Sequence, residues 1–576
     1  RLNNFVTELV RQPLADGTVR FFRPTDGWVW ISFQGADATA RGRLDGAADD
    51  TVAPKAEHPY VEAQRWVSAG WHTLDVRGAT QGELRIHAVK NLVQPCCPVD
   101  RETCDFTGFS YAYGTRFWNR FVLPTANTLN AKDETNALHY ARLGYRVFGG
   151  VRFGFNSPLW QQPEEQWAVL TGGLWSKGFD VSVDESGIGA LRLQHVLFSE
   201  NVWKALELKP SQRVNVYWGD ATKNAFGDPK AHASLLAALA NSGEGTGVSF
   251  PETYTPVLKT RAEAEPWLEL YERSTRAIAG IAPAARALTV FNVSPWIDPG
   301  HWCDAPCPEA DAKALWSHVL RAFATRPGFA ENSGLGAGAF GACEEELRRW
   351  IARLFRYYGL EGGTEDLAEV RGFRWTPGFV RNCDFADGLD GWTAKPADGG
   401  GICAGSIANY GVKVQLRKKV PNGAGDTVAE FTAAKRPNRL EQRLTGLEPG
   451  KLYALLFCTA NRANIENPVR KRPSLAFRAR LEGAEEIAPL RFRHETFWRK
   501  RGGGNQRIYL PVHRYVFRAQ SPEATLVFED RSDEGRRPPA GTKQVLNYVV
   551  FRPYYTERPG EELEIADMFK EKGEDK

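Results

Sequence analysis

The stretch FDVSVDES, residues 179–186, decides how the chain is read. Val181 and Val183 alternate with Asp180, Ser182 and Asp184, the period-two pattern of a strand with one apolar face. The pattern then stops on two adjacent carboxylates, Asp184 and Glu185, followed by Ser186-Gly187-Ile188-Gly189. A strand that ends in acids and a glycine-bearing loop meets solvent at its carboxyl end. Beyond it, SENVWKALEL (199–208) has the apolar spacing of a helix.

The same unit recurs along the middle of the chain. FSYAYG (109–114) precedes FWNRFV, NTLNAK (127–132) precedes ETNALHYARLG, and YRVFGGVRF (145–153) precedes PEEQWAVL. RVNVYWGD (213–220), GTGVSFPETY (245–254), LTVFNVSPW (288–296) and FAENSGLGAG (329–338) are each followed by another segment of helical period. Eight alternating units over a span near the usual barrel length of about 250 residues predict a central (β/α)8 TIM barrel, in preference to an open doubly wound sheet. Glu344, Glu345 and Glu346 at the opening of the last helix suit the positive end of its dipole, and Gly359 suits its close.

The flanks read differently. VRFFRP, GWVWISFQG, GWHTLDVRG and GELRIHAVKNLV are short period-two runs punctuated by Gly, Asp and Pro, as antiparallel strands are. Residues 1–95 are therefore expected to form a β-sandwich, 96–372 the barrel, and 373–558 a second, jelly-roll β-sandwich, with a charged tail over 559–576. The fold class expected is multidomain, α/β plus all-β. A chain of 576 residues exceeds what one core supports, which agrees with several domains.

Composition excludes more than it assigns. The formal charge of +4 is small, and Lys and Arg alternate with Asp and Glu, so nothing points to nucleic acid. No apolar run is long enough to span a bilayer, and the chain opens on Arg1, as a product of export processing would. A secreted or extracellular location is expected on that reading. The nine cysteines are an odd number, so at least one is free or pairs between chains if the others form disulfides, and a homo-oligomer or extracellular assembly is compatible with this. Cys303 and Cys307 near His301 lack the second ligand pair of a structural zinc site, and neither a Walker loop nor a dinucleotide fingerprint occurs. No metal and no cofactor are expected.

In the C-terminal region, Asn382-x-Asp384-Phe385, then Gly388-Leu389-Asp390-Gly391-Trp392, the hairpin LTGLEPGKLYAL (444–455) and a closing strand with Asn547 resemble the jelly roll of carbohydrate-binding modules. The middle region, with DVSVDE, a Glu after its sixth strand and IARLFRYYGLEG, is similar to the barrels of secreted glycoside-hydrolase-like proteins that carry flanking sandwiches. The resemblance implies a layout and a carbohydrate substrate, but supplies no established catalytic pair.

In a barrel the active site lies at the carboxyl ends of the strands, which makes polar residues there the candidates. Tyr111, Asn130, Arg152, Tyr217, Trp218, Tyr254, Asn292, Trp296 and Glu331 occupy such positions, and their mix of aromatic, amide and charged groups suits sugar recognition. Glycoside hydrolysis needs two carboxyls flanking the bond. Strand parity favours Asp184, the loop position favours Glu185, and neither is eliminated. The expected partner is Glu252, which Pro251 should leave on an emerging loop. Glu331 and Asp298 follow. The competing reading is a non-catalytic extracellular protein, a carbohydrate binder or assembly component built on an inactive barrel.

Overall fold

A computed structural model describes residues 3–54, 60–89, 110–113, 152–153, 181–183, 214–217, 246–253, single positions between 261 and 276, 290–293, 311–330, 334–338, 345–373, 378–411, 425–471, 473, 475–499, 505–532 and 535–563. Strand 127–132 and the 559–576 tail beyond residue 563 lie outside these residues.

The N-terminal runs form β1 (Val6–Pro13), β2 (Gly17–Arg23), β3 (Gly27–Gln34), β4 (Arg41–Leu44), β5 (Glu62–Val67), β6 (Gly70–Arg77) and β7 (Glu83–Val89). A four-stranded sheet, β1-β7-β3-β5, and a three-stranded sheet, β2-β6-β4, are both antiparallel. Their inner faces share a core that includes Phe21, Ile31, Phe33, Leu74, Val76, Leu84 and Ile86. Alternation does the sorting: in β6, His72, Leu74 and Val76 are buried, whereas Trp71, Asp75 and Arg77 are exposed. Gly42 is required by close approach, since a Cβ there would lie 2.7 Å from Phe33 Cζ.

The central strands are β8 (Ser110–Tyr113), β9 (Arg152–Phe153), β10 (Val181–Val183), β11 (Val214–Tyr217), β12 (Thr246–Thr253), β13 (Val290–Val293) and β14 (Gly334–Gly338). They form one parallel sheet in the order β8-β14-β13-β12-β11-β10-β9. This corrects the expectation of a closed (β/α)8 barrel. Among the described residues the ladder has seven strands, ends at β8 and β9 without a pairing between them, and strand outweighs helix, at 41% against 18% in six helices. A closed barrel pairs every strand on both sides, whereas β8 pairs only with β14 and β9 only with β10 among the described residues. Among the described residues two long helices are continuous, α1 (Ala312–Thr325) and α2 (Glu345–Gly359), followed by the short α3 (Leu367–Val370). Asp311 caps α1 by accepting from the Lys313 amide at 2.9 Å.

The C-terminal strands are β15 (Thr393–Lys395), β16 (Gly401–Ser406), β17 (Thr427–Thr432), β18 (Arg439–Thr445), β19 (Leu452–Asn461), β20 (Arg478–Glu482), β21 (Ala484–Glu486), β22 (Phe492–Arg499), β23 (Arg507–Ala519), β24 (Glu523–Glu529) and β25 (Lys543–Pro553). Sheet β15-β18-β24-β20 faces sheet β16-β17-β25-β19-β23-β21, with β22 joined to β23, across a core rich in Phe431, Phe457, Phe477, Phe517, Phe528 and Phe551. β19, β23 and β25 are buried at nearly every position, because Leu452, Ala454, Val516 and Val550 form a second apolar cluster on the sheet's other face.

Helices α1 and α2 tie the flanks together. Asn4 donates its amide N–H to Ala324 O at 2.6 Å and its side chain to Phe323 O and Arg326 O, while the Asn3 side chain donates to Tyr358 O and Gly363 O. Two adjacent asparagines thus satisfy carbonyls that the ends of both helices would otherwise leave open. On α2, Arg356 makes two 2.7 Å hydrogen bonds to Glu62 of β5, and its guanidinium lies 3.5 Å from the centre of the Tyr60 ring. At the other end of α2, Glu346 pairs with Lys313 of α1 at 2.8 Å and accepts from the Tyr555 amide, just beyond β25, at 2.5 Å. Glu346 is therefore spent on a fully buried ion pair. Gly359 is the last helical residue, but the left-handed turn falls on Gly362, at φ 75°.

Candidate functional site: the carboxyl edge of the parallel sheet

A parallel sheet sends the carboxyl ends of all its strands to one edge, which gathers residues far apart in sequence. Arg152 starts β9, Tyr217 ends β11, Glu252 is the penultimate residue of β12, Asn292 lies in β13 and Tyr111 in β8. Asp184 and Glu185 follow Val183, the last residue of β10, directly in sequence. Asp184, Glu185, Asn130, Trp218, Tyr254, Trp296, Glu331 and Asp298 lie outside the described residues.

The registers align these positions. Phe153, Val183, Val216 and Val248 form one row across four strands, and Tyr217, Ser249, Val290 and Gly334 form the next. Farther along, Phe250 pairs with Phe291 and Thr253 with Val293, so two residues, Pro251 and Glu252, stand opposite one, Asn292. This two-against-one bulge corrects the expectation that Pro251 ends the strand. Proline has no amide hydrogen for the ladder, and a bulge is where a strand tolerates that loss. It also brings Glu252 and Asn292 to the same level of neighbouring strands, with Tyr111 in the row immediately beyond, through Val293 and Ala337. A bulge at the edge of a sheet re-aims side chains, and such irregularities are over-represented beside active sites.

The motif that carried the C-terminal resemblance has a structural job. Asn382 adopts a positive φ of 47° and its side chain donates to Gly388 O and Asp390 O at 3.1 and 2.9 Å, while accepting from the Asp387 amide. Trp392 donates its indole N–H to Asn382 O and packs at 5.3 Å from the Phe385 ring. All of that polarity closes the loop on itself. Asn547 likewise donates to Gly425 O and Thr427 O inside the sandwich. Among the described residues no group of three or more His, Cys, Asp or Glu is placed to hold a metal ion, and no helix is long and apolar enough to cross a membrane.

What the sequence reading missed is the electrostatics of the helical junction. Burial opposes the charge of Arg356, but the attraction and hydrogen bonds of Glu62 outweigh it, so its pKa stands above the ordinary arginine value. Burial lowers the pKa of His87, partly offset by its hydrogen bond to Leu360 O at 2.6 Å, which requires a proton on Nδ1.

No protein-family model matches the chain, and no curated protein matches its sequence. Solved structures do resemble parts of it. The enzymatically active domain of tailspike protein 4 of bacteriophage CBA120 is 10% identical at a TM-score of 0.20, over 59% of this chain and 34% of that one. The chain thus spans about a third of that domain's length. A CBM61 module solved with β-1,4-galactotriose is 12% identical at a TM-score of 0.18, over 31% of this chain and 99% of that one. Xylanase 10C of Cellvibrio japonicus, solved with xylopentaose, is 13% identical at a TM-score of 0.25, over 63% and 88%. Carbohydrate-active enzymes and carbohydrate-binding proteins recur among the similar structures.

Proposed function

We propose that the chain is a carbohydrate-active protein that hydrolyses glycosidic bonds at the carboxyl edge of its parallel sheet. The observation that carries this reading is the Pro251–Glu252 bulge opposite Asn292, on a strand one removed from β10, after which Asp184 and Glu185 come. Neighbouring strands lie about 4.8 Å apart, so β10 and β12 are separated by about 10 Å, a span from which two carboxyls can reach opposite sides of one sugar linkage. Glu252 serves as one carboxyl, and Asp184 or Glu185 as the other. One is protonated and assists the leaving oxygen, and the ionised partner attacks or activates water. Tyr217, Tyr111 and Asn292 serve at this edge as binding groups, and Arg152, in the Ser182 row of the ladder, four rows before Asn292, is the most recessed of them. Asn130, Trp218, Tyr254, Trp296 and Glu331, outside the described residues, are the further binding groups of this proposal. Extracellular action accords with the disulfide-bonded state of Cys383, since such bonds persist in oxidising surroundings.

The test is release of reducing ends from a panel of polysaccharides by the wild type and by Asp184→Asn, Glu185→Gln and Glu252→Gln. Glu252→Gln and one of the other two should each lose at least about a thousandfold in turnover, in line with removal of an essential acid or nucleophile. Undiminished hydrolysis by all three variants would remove the assignment.

A further inference from the structure

Four large apolar side chains are exposed among the described residues, Phe22, Trp71, Val370 and Leu563, and the first two are neighbours. Phe22 of β2 and Trp71 of β6 are directly paired across the three-stranded N-terminal sheet, with ring centroids 5.4 Å apart, and they are 48% and 64% exposed. Arg20, two residues before Phe22 on the same face, holds its guanidinium carbon 4.9 Å from the centre of the Trp71 ring. The rest of the sandwich explains why this face is outermost. The outer face of the four-stranded sheet is occupied by the helical junction, through Trp30, Glu62 and His87, and the opposite side of the sandwich is left to β2, β6 and β4.

The charge on this face is unbalanced. Its outward strand positions carry Arg20, Arg41, Arg43 and Arg77, against Asp75 on β6 and Asp45 and Asp50 from the loop after β4, with Asp45 paired to His72 and accepting from the Thr73 amide. Asp50 is engaged by Arg77 at 2.8 Å and Arg43 at 3.9 Å, and Asp75 accepts from the Thr18 hydroxyl at 2.6 Å. Arg20 makes no ion pair among the described residues. The outer face of the C-terminal β15-β18-β24-β20 sheet is the opposite case: Arg439 is paired with Glu441 and Glu482, and Glu529 with Arg478 and Arg480. None of the four exposed large apolar side chains belongs to that sheet.

We propose that the outward face of β2 and β6 is a binding platform for an anionic saccharide, with a sugar ring stacked on Trp71 and Phe22 and its acid group paired with Arg20. A pyranose offers an apolar ring face to the aromatics and hydroxyls to Thr18 and Asp75, and its carboxylate or sulfate complements the excess of arginine. The proposal rests on the carbohydrate reading above and assigns glycan holding to the N-terminal sandwich instead of the C-terminal one.

The experiment is calorimetric titration of the full chain with three probes: tetragalacturonate, a sulfated galactan tetrasaccharide and neutral galactotetraose. One of the acidic probes should bind, and which one does identifies the acid group as carboxylate or sulfate. Trp71→Ala should weaken that binding about tenfold, the scale of one aromatic stacking contact, and Arg20→Gln should remove the preference for the acidic probe. Equal affinity in wild type and Trp71→Ala, equal binding of neutral and acidic probes, or binding of none of the three would overturn the platform. So would sedimentation showing that Trp71→Ala converts a self-associated chain to monomers, since the face would then be an interface between copies. Hydrolysis measured alongside separates the two proposals. Trp71-dependent binding with no hydrolysis of any polysaccharide leaves the platform and sinks the hydrolase, whereas hydrolysis with Trp71-independent binding does the reverse.

Discussion

Glu62 and Arg356 are 294 positions apart in sequence, yet they form a buried ion pair between the N-terminal sandwich and α2. Their charges are shared out fully: Glu62 also accepts from the Trp30 indole at 2.8 Å, and Arg356 also donates to Glu361 at 2.8 Å. Removing Glu62 leaves Arg356 buried with Glu361 as its remaining carboxylate, so the cost approaches but stays under the roughly 3–5 kcal/mol of a fully uncompensated buried charge. Glu62→Leu is therefore expected to lower the denaturation midpoint strongly, and Glu62→Leu combined with Arg356→Met should recover much of the loss. A double variant no more stable than Glu62→Leu would count against the pair as the cause. Asn3 and Asn4 show the same economy on neutral groups, where each lost capping bond is worth about 1 kcal/mol.

Strand β7 presses His87 against the end of α2, and this makes the docking sensitive to pH. Burial lowers the folded-state pKa of His87, and burial likewise lowers that of His318 on α1, with Glu265 opposing it only in part. Above the ordinary histidine value near 6.5, both folded and unfolded chains carry these rings neutral and no stability is lost. Below it the unfolded chain takes up protons that the folded one resists, so stability falls as pH falls. The melting temperature should drop between about pH 7 and pH 5, and His87→Gln should flatten that drop. A melting profile of His87→Gln parallel to the wild type would reject His87 as a source. Element chemistry also explains where sequence reading worked and where it did not. Period-two alternation in GWHTLDVRG and GELRIHAVKNLV read β6 and β7 correctly, because a strand's two faces are set locally. The end of β12 was misplaced, because a proline is read as a strand breaker until the partner strand shows a bulge that accommodates it.

Across the whole molecule, α1 and α2 act as a keystone: Asn3, Asn4, Glu62 and His87 reach them from the N-terminal side, and Tyr555 and Glu557 from the C-terminal side. Trp350 of α2 stacks edge-on to both Phe373 and Tyr555, at 4.9 and 5.0 Å. Glu346→Gln, which leaves Lys313 buried beside a neutral group, should raise amide exchange together in α1, α2 and the segment after β25. A rise confined to α2 would show that the junction does not couple the flanks. Much of this molecule was legible in its sequence: the β-rich flanks, seven of the eight central strands, and helices α1 and α2. Those features follow from periodicity and from residue chemistry acting over a few positions. The closed barrel was not there among the described residues, and neither the bulge opposite Asn292, the Glu62–Arg356 pair nor the exposure of Trp71 could be read in advance. Each of them depends on which strand pairs with which, and on which sheet face another element covers. Such choices are made by contacts between residues hundreds of positions apart, and local pattern carries no record of them.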